Sequence, residues 1–318
     1  MKIVVLDGRA LAADDLNYED FRQFGELEVY DNTAREDIVD RIGDSEIVLV
    51  NKVVLTRDIL EKCPNLKLIQ VMATGYNVVD LEAAAARGIA VANIPAYSTD
   101  SVAQYVFACI LQFCNRIDVH NRSVHAGDWI TSETFSYRVA PLCELAGKTL
   151  GIVGFGAIGK AVARIAKAFE MNVLVYSRTL YPQFESATLK FSDLNTLLQN
   201  ADFVTLHCPL TAATQGMIGM EQLRMMKKSA VLINSARGPV VVERDLAQAL
   251  EEGVIAAAAV DVLCHEPMQS DCPLYTAPNC VITPHIAWAP LETRRRLLQI
   301  AVSNLAGFIA GEPKNIVQ

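Results

Sequence analysis

A glycine-rich turn near the middle of the chain constrains the fold more than any other sequence feature. The segment Gly154-x-Gly156-x-x-Gly159 follows the apolar run 149–153 and opens the helical pattern 157–170. In a parallel βαβ unit, the first glycine permits the tight turn, the second lets a pyrophosphate approach the backbone, and the third lets helix and strand pack closely. The free N–H groups at the helix N-terminus can then bind phosphates. In this context the motif predicts a dinucleotide-binding unit, although a tight strand–helix turn without a ligand would share its glycines.

Short apolar runs alternate with helical periods over all 318 residues, a pattern that predicts an α/β protein of about two domains. The predicted strands cover residues 3–6, 47–50, 66–72, 89–91, 149–153, 173–176, 203–206, 231–234, 255–260 and 281–283. The predicted helices cover residues 80–87, one long helix 100–122, and residues 157–170 and 291–309. We therefore expect two doubly wound parallel-sheet domains of the Rossmann or flavodoxin-like kind, one inserted in the other.

Composition and charge exclude several classes of protein. Apolar residues make up 52% of the chain and charged residues 20%, unlike a long disordered protein. The formal net charge of −8 disfavours non-specific binding to nucleic acid or acidic membranes, which requires basic surface. No apolar run reaches the ~18 residues of a membrane span, and the N-terminus lacks a signal-peptide pattern. We expect a cytoplasmic protein with neither nucleic acid nor membrane as a partner.

The eight cysteines include no CxxC pair, so we expect them to be reduced and mostly buried. A zinc site could draw only on the C-terminal group of cysteines and histidines. Its spacing matches no usual ligand pair, so we expect no metal. The residues of that group are Cys264, His265, Cys272, Cys280 and His285.

The residues after the predicted strand 173–176 bear on the choice of dinucleotide. An Asp or Glu at this position binds the 2′-hydroxyl of the adenosine ribose, whereas an arginine can accept a 2′-phosphate. Here the strand is followed by Ser177, Arg178 and Thr179, without a carboxylate. We therefore hypothesise NADP(H) in preference to NAD(H). The alternative is a solvated Arg178 that stacks on the adenine and serves either cofactor.

Polar residues of catalytic type follow three apolar runs in the second half of the chain. Arg237 follows the run 231–234, Glu266 comes after the run 255–260, and His285 follows the run 281–283. In an open parallel sheet, ligands bind beyond the carboxyl ends of the strands. The three side chains are therefore candidates for the crevice that holds the dinucleotide.

These motifs, in this order, resemble the D-isomer-specific 2-hydroxyacid dehydrogenases, and above all their glycerate dehydrogenase (hydroxypyruvate reductase) branch. The resemblance covers essentially the whole chain. Asn77 and Gln104 stand where many relatives carry Asp and Glu, which leaves the subgroup and the substrate open. The supporting segments are Ala73-Thr-Gly75-Tyr-Asn77, Asn93-Ile-Pro95, Leu145-Ala-Gly147, Cys208-Pro209-Leu210-Thr211 and Pro284-His285-Ile286-Ala287-Trp288.

The resemblance implies reversible hydride transfer between a nicotinamide cofactor and a short 2-oxo or D-2-hydroxy acid. Hydroxypyruvate/glycerate and glyoxylate/glycolate are the expected pairs. It also implies that Arg237, Glu266 and His285 are the catalytic set. A protonated imidazole of His285 would supply the proton to the carbonyl oxygen, and Glu266 would orient that imidazole. Arg237 would pair with the substrate carboxylate and polarise the carbonyl.

The same resemblance implies the ligand contacts. Trp288 could equally be a core or interface residue, and Asp261 could be an ordinary strand-end cap. The expected substrate-binding residues are Met72, Ala73, Thr74 and Gly75, through their backbone groups, with Arg237, His285 and Trp288. The expected cofactor-binding residues are Gly154, Gly156, Ala157, Ile158, Gly159, Ser177, Arg178, Thr179, His207, Cys208, Pro209, Ser235, Ala236, Arg237, Asp261, His285 and Ala287.

We expect a discontinuous substrate-binding domain, 1–99 plus 288–318, and an inserted dinucleotide-binding domain, 100–287. The resemblance implies a homodimer built through region 100–145, whose apolar stripe would also fit packing within one chain.

Two other functions stay open. One is a dehydrogenase for another D-2-hydroxy acid or for phosphoglycerate, although members that oxidise phosphoglycerate often carry a further regulatory domain. The other is an NAD(H)-sensing regulatory protein, since the fold also serves transcriptional corepressors; retention of all three catalytic candidates argues against it.

Overall fold

A computed structural model describes residues 1–12 and 15–317 and divides the chain into two compact units. The discontinuous unit consists of Met1–Ser98 and Trp288–Gln318, and the continuous unit is Thr99–Ala287. Each unit is built around one sheet in which every strand pair is parallel. The predicted pair of parallel-sheet α/β domains is thereby confirmed.

The discontinuous unit has five strands in the order β2-β1-β3-β4-β5, the flavodoxin-like order of doubly wound proteins. The strands are β1 (Lys2–Val5), β2 (Glu26–Val29), β3 (Ile47–Val50), β4 (Leu68–Val71) and β5 (Ala90–Ala92). The helices are α1 (Ile38–Ile42), α2 (Arg57–Leu60), α3 (Leu81–Ala86) and the C-terminal helix Leu291–Ile309.

Strand β3 shows why this sheet needs runs of apolar residues. All four of its residues are buried. Ile47 and Leu49 pack into the cluster that includes the C-terminal helix, whereas Val48 and Val50 pack into the cluster on the opposite face. Because helices cover both faces, every position of the strand is apolar and no polar alternation remains.

The continuous unit has seven strands in the order β12-β11-β10-β9-β6-β7-β8. The order changes direction between β6 and β9, the kind of position where ligands bind in open α/β sheets. The strands are β6 (Thr149–Val153), β7 (Asn172–Tyr176), β8 (Leu189–Phe191), β9 (Phe203–Leu206), β10 (Val231–Asn234), β11 (Ala257–Val260) and β12 (Cys280–Ile282). The helices are α4 (Thr99–Asn115), α5 (Ile117–His125), α6 (Ala157–Ala168), α7 (Leu194–Asn200), α8 (Met220–Met225) and α9 (Glu243–Glu251).

The prediction of one long helix over 100–122 is wrong. Arg116 adopts the left-handed conformation, with φ of 46°, and separates α4 from α5. Asp118 lies in the first turn of α5, where a carboxylate is favourable, and accepts a hydrogen bond from Gln112 of α4 at 2.8 Å. The short strands β2 and β8, one at an edge of each sheet, were also absent from the sequence prediction.

No helix among the residues that the structure describes is long and apolar enough to span a membrane. All eight cysteines are free thiols. Cys63, Cys109 and Cys114 are buried, but the prediction of burial is wrong for the other five, since Cys143 is exposed and the remaining four are half-buried.

Candidate active site

The glycine-rich turn joins β6 to α6, and the fold itself requires two of its glycines. Gly154 has φ of +99°, and a Cβ there would lie 2.7 Å from the backbone nitrogen of Cys208. A Cβ on Gly159 would lie 2.2 Å from the carbonyl oxygen of Gly154. A side chain at either position would therefore displace backbone.

Gly156 differs, because an added Cβ would meet no described residue within 4 Å other than its immediate chain neighbours. Its φ of −77° is one that any residue can adopt, so packing and conformation leave its lack of a side chain unexplained. The N–H groups of residues 156–159 donate no hydrogen bond to any described residue. Open space above free N–H groups at a helix N-terminus fits a pyrophosphate, and so this turn fits a nicotinamide dinucleotide.

Two buried polar atoms lie at the carboxyl ends of the neighbouring strands β9 and β10. Neither Nδ1 of His207 nor Oγ of Ser235 has a hydrogen-bond partner among the described residues. The other ring nitrogen of His207 pairs with Thr205 Oγ1 at 2.9 Å, and burial lowers the pKa of this histidine to about 3. Because buried polar atoms are nearly always hydrogen-bonded, both atoms fit contacts with a bound ligand.

Arg178 lies beyond the carboxyl end of β7 and is exposed. Its guanidinium forms neither an ion pair nor a hydrogen bond with any described residue. The flanking Ser177 and Thr179 bring no carboxylate to this position. The site can therefore accept an additional phosphate without first breaking an ion pair.

The structure brings His285 and Glu266 together, with Nδ1 of the histidine 2.7 Å from Oε2 of the glutamate. The other carboxylate oxygen, Oε1, accepts a hydrogen bond from the backbone of Leu263 at 3.1 Å, which fixes the glutamate. Because a carboxylate accepts, Nδ1 is the donor and Nε2 is the ring atom left to act on a ligand. The side chains of His285 and Glu266 are 28% and 31% exposed, so both are within reach of a small molecule.

His285 is held in a strained turn that follows β12. Its φ is +56°, in the left-handed region, which costs a non-glycine residue about 1–2 kcal/mol. The carboxylate of Asp261, which is 1% exposed, accepts hydrogen bonds from Ile286 N at 2.8 Å and Ala287 N at 2.9 Å. Asp261 and Ala287, both predicted to contact the cofactor, are thus bonded to one another across the base of this turn.

Arg237 follows β10, the neighbour of β11 in the sheet. Its partly buried guanidinium donates to the carbonyl of Ala236 at 2.7 Å and pairs with no carboxylate among the described residues. Asn234 shapes the turn, since its side chain accepts from Ala236 N at 3.1 Å and donates to Arg237 O at 3.0 Å. A partly buried cation without a carboxylate partner fits an acidic ligand.

The predicted substrate-binding segment 72–75 follows β4 in the discontinuous unit. Met72 N still donates to Val50 O at 2.7 Å, and Thr74 Oγ1 donates to Ile94 O at 2.7 Å. The N–H groups of residues 73–75 donate to no described residue, which suits them to a carboxylate. Trp288 packs edge-on against Tyr97 at a centroid distance of 6.5 Å, beside the core of the discontinuous unit.

Tyr105 and Thr283 also belong to this site, although neither was predicted from the sequence. Thr283 Oγ1 donates to Asp261 Oδ1 at 2.6 Å and pairs with the hydroxyl of Tyr105, also at 2.6 Å. The position of Thr283 at the end of a strand, two residues before His285, was the available signal. Within the described ranges, no group of three or more His, Cys, Asp or Glu side chains is placed to hold a metal ion.

Comparisons with known proteins give a consistent result. Residues 107–287 match the family model for the D-isomer specific 2-hydroxyacid dehydrogenase NAD binding domain. A hydroxypyruvate reductase of Blautia hydrogenotrophica is 45% identical, over 100% of this chain and 99% of that protein. A glycerate dehydrogenase of Methylorubrum extorquens is 42% identical, with the same coverage of both chains.

A solved structure resembles the chain over almost its whole length. It is an NADPH-dependent glyoxylate/hydroxypyruvate reductase from Sinorhizobium meliloti in complex with NADP and malonate. The TM-score is 0.83 at 27% identity, and the match covers 99% of this chain and 96% of that one. The chain is therefore a nicotinamide-dependent oxidoreductase of 2-hydroxy and 2-oxo acids, and it belongs to the D-isomer-specific 2-hydroxyacid dehydrogenase family.

Proposed function

We propose that this enzyme reversibly reduces hydroxypyruvate or glyoxylate and prefers NADP(H) as its cofactor. The contact of 2.7 Å between His285 and Glu266 carries the proposal, because it provides an oriented imidazole for proton transfer to a carbonyl oxygen. The names of the relatives from Blautia and Methylorubrum support the hydroxypyruvate/glycerate pair.

When bound, the nicotinamide supplies or accepts the hydride. In the direction of reduction, the guanidinium of Arg237 binds the substrate carboxylate and stabilises the negative charge that develops on the carbonyl oxygen. Nε2 of His285 gives its proton to that oxygen, while Glu266 holds Nδ1 and so fixes the direction of the ring. The partly exposed imidazole then takes a new proton from solvent.

We propose that the continuous unit is the dinucleotide-binding domain. The free N–H groups of residues 156–159 would bind the pyrophosphate, and the buried polar atoms of His207 and Ser235 would bind the cofactor farther along. Unpaired Arg178 would accept a 2′-phosphate, which favours NADP(H). The discontinuous unit would be the substrate-binding domain, with the backbone N–H groups of residues 73–75 as a carboxylate-binding element.

We also propose a homodimer. Region 117–142 exposes large apolar side chains, among them Ile130 at 88% and Phe135 at 91%, as a self-association surface would.

A different D-2-hydroxy acid or phosphoglycerate is the alternative substrate. A regulatory NAD(H) sensor would have no need of the aligned His285–Glu266 pair. The cytoplasmic location stays a prediction.

Initial rates of nicotinamide oxidation test the proposal. Hydroxypyruvate, glyoxylate, pyruvate and oxaloacetate are each supplied with NADPH and with NADH. We expect the highest kcat/KM with hydroxypyruvate or glyoxylate, and a preference for NADPH. A higher value with pyruvate or oxaloacetate contradicts the substrate assignment. Tight nucleotide binding without turnover of any acid contradicts the enzymatic function and supports the sensor.

A further inference from the structure

A chain of hydrogen bonds connects helix α4 to the turn that carries His285. The hydroxyl of Tyr105 on α4 lies 2.6 Å from Oγ1 of Thr283, and Thr283 lies 2.6 Å from Oδ1 of Asp261. Ser101, one helical turn before Tyr105, also donates from its hydroxyl to the carbonyl of Ala287. All these residues belong to the continuous unit.

The donors and acceptors of this chain can run in one direction only. The carboxylate of Asp261 accepts, so the single hydroxyl proton of Thr283 points to Asp261. Thr283 can then only accept from Tyr105, whose phenol is the donor. Burial raises the pKa of Tyr105, so the phenol keeps its proton at any working pH. The order is therefore phenol to hydroxyl to carboxylate.

The carboxylate of Asp261 orients the backbone around His285. Oδ1 accepts from Ile286 N, and Oδ2 accepts from Ala287 N, the two amides that follow the histidine. His285 itself is in the left-handed region, where a non-glycine residue remains only if its surroundings impose it. The direction of the imidazole therefore depends on a single orientation of the Asp261 carboxylate.

We propose that Tyr105 and Thr283 are positioning residues for His285: they fix the Asp261 carboxylate, which fixes the turn that aims the imidazole. This inference rests on the proposed function of His285 as the proton donor. Tyr105 acts from inside α4, and its effect on the reaction passes through Thr283 and Asp261.

The groups around the chain keep its proton arrangement constant. Cys109 lies one turn beyond Tyr105 on α4, and burial raises the pKa of its thiol to about 11, so the thiol stays uncharged. Glu266 is hydrogen-bonded to Nδ1 of His285. The titratable groups whose charges act on Tyr105 are Cys109 and Asp261. Tyr105 and Cys109 therefore both keep their protons over the neutral pH range.

The test compares Thr283→Val, which removes the hydroxyl at nearly constant volume, with Thr283→Ser, which keeps it. Tyr105→Phe removes the phenol donor and is the milder variant if Thr283→Val folds poorly. Tyr18→Phe is the matched control: it removes another buried phenol, which donates to Gly8 O at 3.0 Å in the discontinuous unit. The readouts are kcat, KM for the 2-oxo acid, the D2O solvent isotope effect on kcat, and Tm.

We expect Thr283→Val to lower kcat by about 10- to 100-fold and to change KM by less than about threefold. The reason is that the imidazole of His285 is misoriented as a proton donor while substrate binding persists. The solvent isotope effect should increase, since proton transfer becomes more rate-limiting. Tyr105→Phe should show the same changes to a smaller degree, and Thr283→Ser should restore the wild-type values. Tyr18→Phe should lower Tm and leave kcat and the isotope effect unchanged.

Wild-type kcat and isotope effect in both Thr283→Val and Tyr105→Phe would overturn the inference while leaving the proposed function intact. So would a loss in Thr283→Ser equal to that in Thr283→Val, since the hydroxyl would then be irrelevant. A wild-type protein that turns over no 2-oxo acid would overturn the proposed function and this inference together.

Discussion

Alanine substitutions at Gly156 and Gly159 should distinguish the glycine that ligand binding requires from the glycine that the fold requires. Gly156→Ala places a methyl group where no described residue other than its immediate chain neighbours lies within 4 Å, at a φ of −77° that alanine adopts freely. Gly159→Ala places the same group 2.2 Å from the carbonyl oxygen of Gly154. The two variants differ by position alone, so each is the control for the other.

The magnitudes follow from this geometry. For Gly156→Ala, the gain from a less flexible unfolded chain is about 0.4–1 kcal/mol, and the loss of glycine at the N-cap offsets it. For Gly159→Ala, the methyl group would have to move by about 1 Å against backbone, an overpacking cost of about 1–3 kcal/mol or more. At about 2–4 °C per kcal/mol, Tm should fall by about 2–12 °C or more in Gly159→Ala and by less than about 2 °C in Gly156→Ala.

The effects of these two substitutions on NADPH affinity should not follow their effects on Tm. In Gly156→Ala, the methyl group occupies the space in front of the free N–H groups of residues 156–159, and we expect NADPH affinity to fall by about 10- to 100-fold. Thermal unfolding and fluorescence titration with NADPH measure the two effects separately. Wild-type affinity in Gly156→Ala, with unchanged Tm, would refute the assignment of this space to the pyrophosphate.

Three further results are expected. Arg178→Ala should raise the KM for NADPH about tenfold and leave that for NADH unchanged, and an equal effect on both would place Arg178 away from the 2′-phosphate. Burial lowers the pKa of His207 to about 3, so between pH 7 and pH 5 the imidazole gains a proton in the unfolded chain and not in the folded one. The free energy of unfolding of the wild type should therefore fall by about 2 kcal/mol more than that of His207→Asn over this range in urea titrations. Equal losses in the two proteins would contradict this. Arg237→Lys should raise KM for the 2-oxo acid and lower kcat, since lysine lacks the bidentate fork, and wild-type values would exclude a direct contact.

The helices and strands that could be predicted from the sequence are those whose own residues carry a clear apolar pattern. The strands 149–153, 203–206 and 231–234 and the helix 291–309 are confirmed with their bounds, because continuous apolar runs or a clear helical period mark them. Strand β2 (Glu26–Val29) was missed, since two of its four residues are glutamates and only Leu27 is buried. The break at Arg116 was missed because a left-handed arginine leaves no signal in the sequence.

The candidate site was predictable as a set of residue types but not as a geometry. The sequence placed Arg237, Glu266 and His285 after strands of one sheet, whose carboxyl ends share an edge. It could not show that Glu266 reaches back to His285 while it also accepts from Leu263 N, since 19 residues separate the pair. The bond between Tyr105 and Thr283 spans 178 residues and depends wholly on tertiary packing.

The rate of hydroxypyruvate reduction by His285→Ala, measured beside wild type under saturating NADPH, tests the central claim most directly. The same preparation is titrated with NADPH, so that loss of the proton donor is distinguished from loss of the cofactor site. We predict that kcat falls by about 10²–10⁴-fold, because no other positioned group replaces the imidazole, while NADPH affinity stays nearly intact. Full activity in His285→Ala would contradict the assignment of this imidazole as the proton donor.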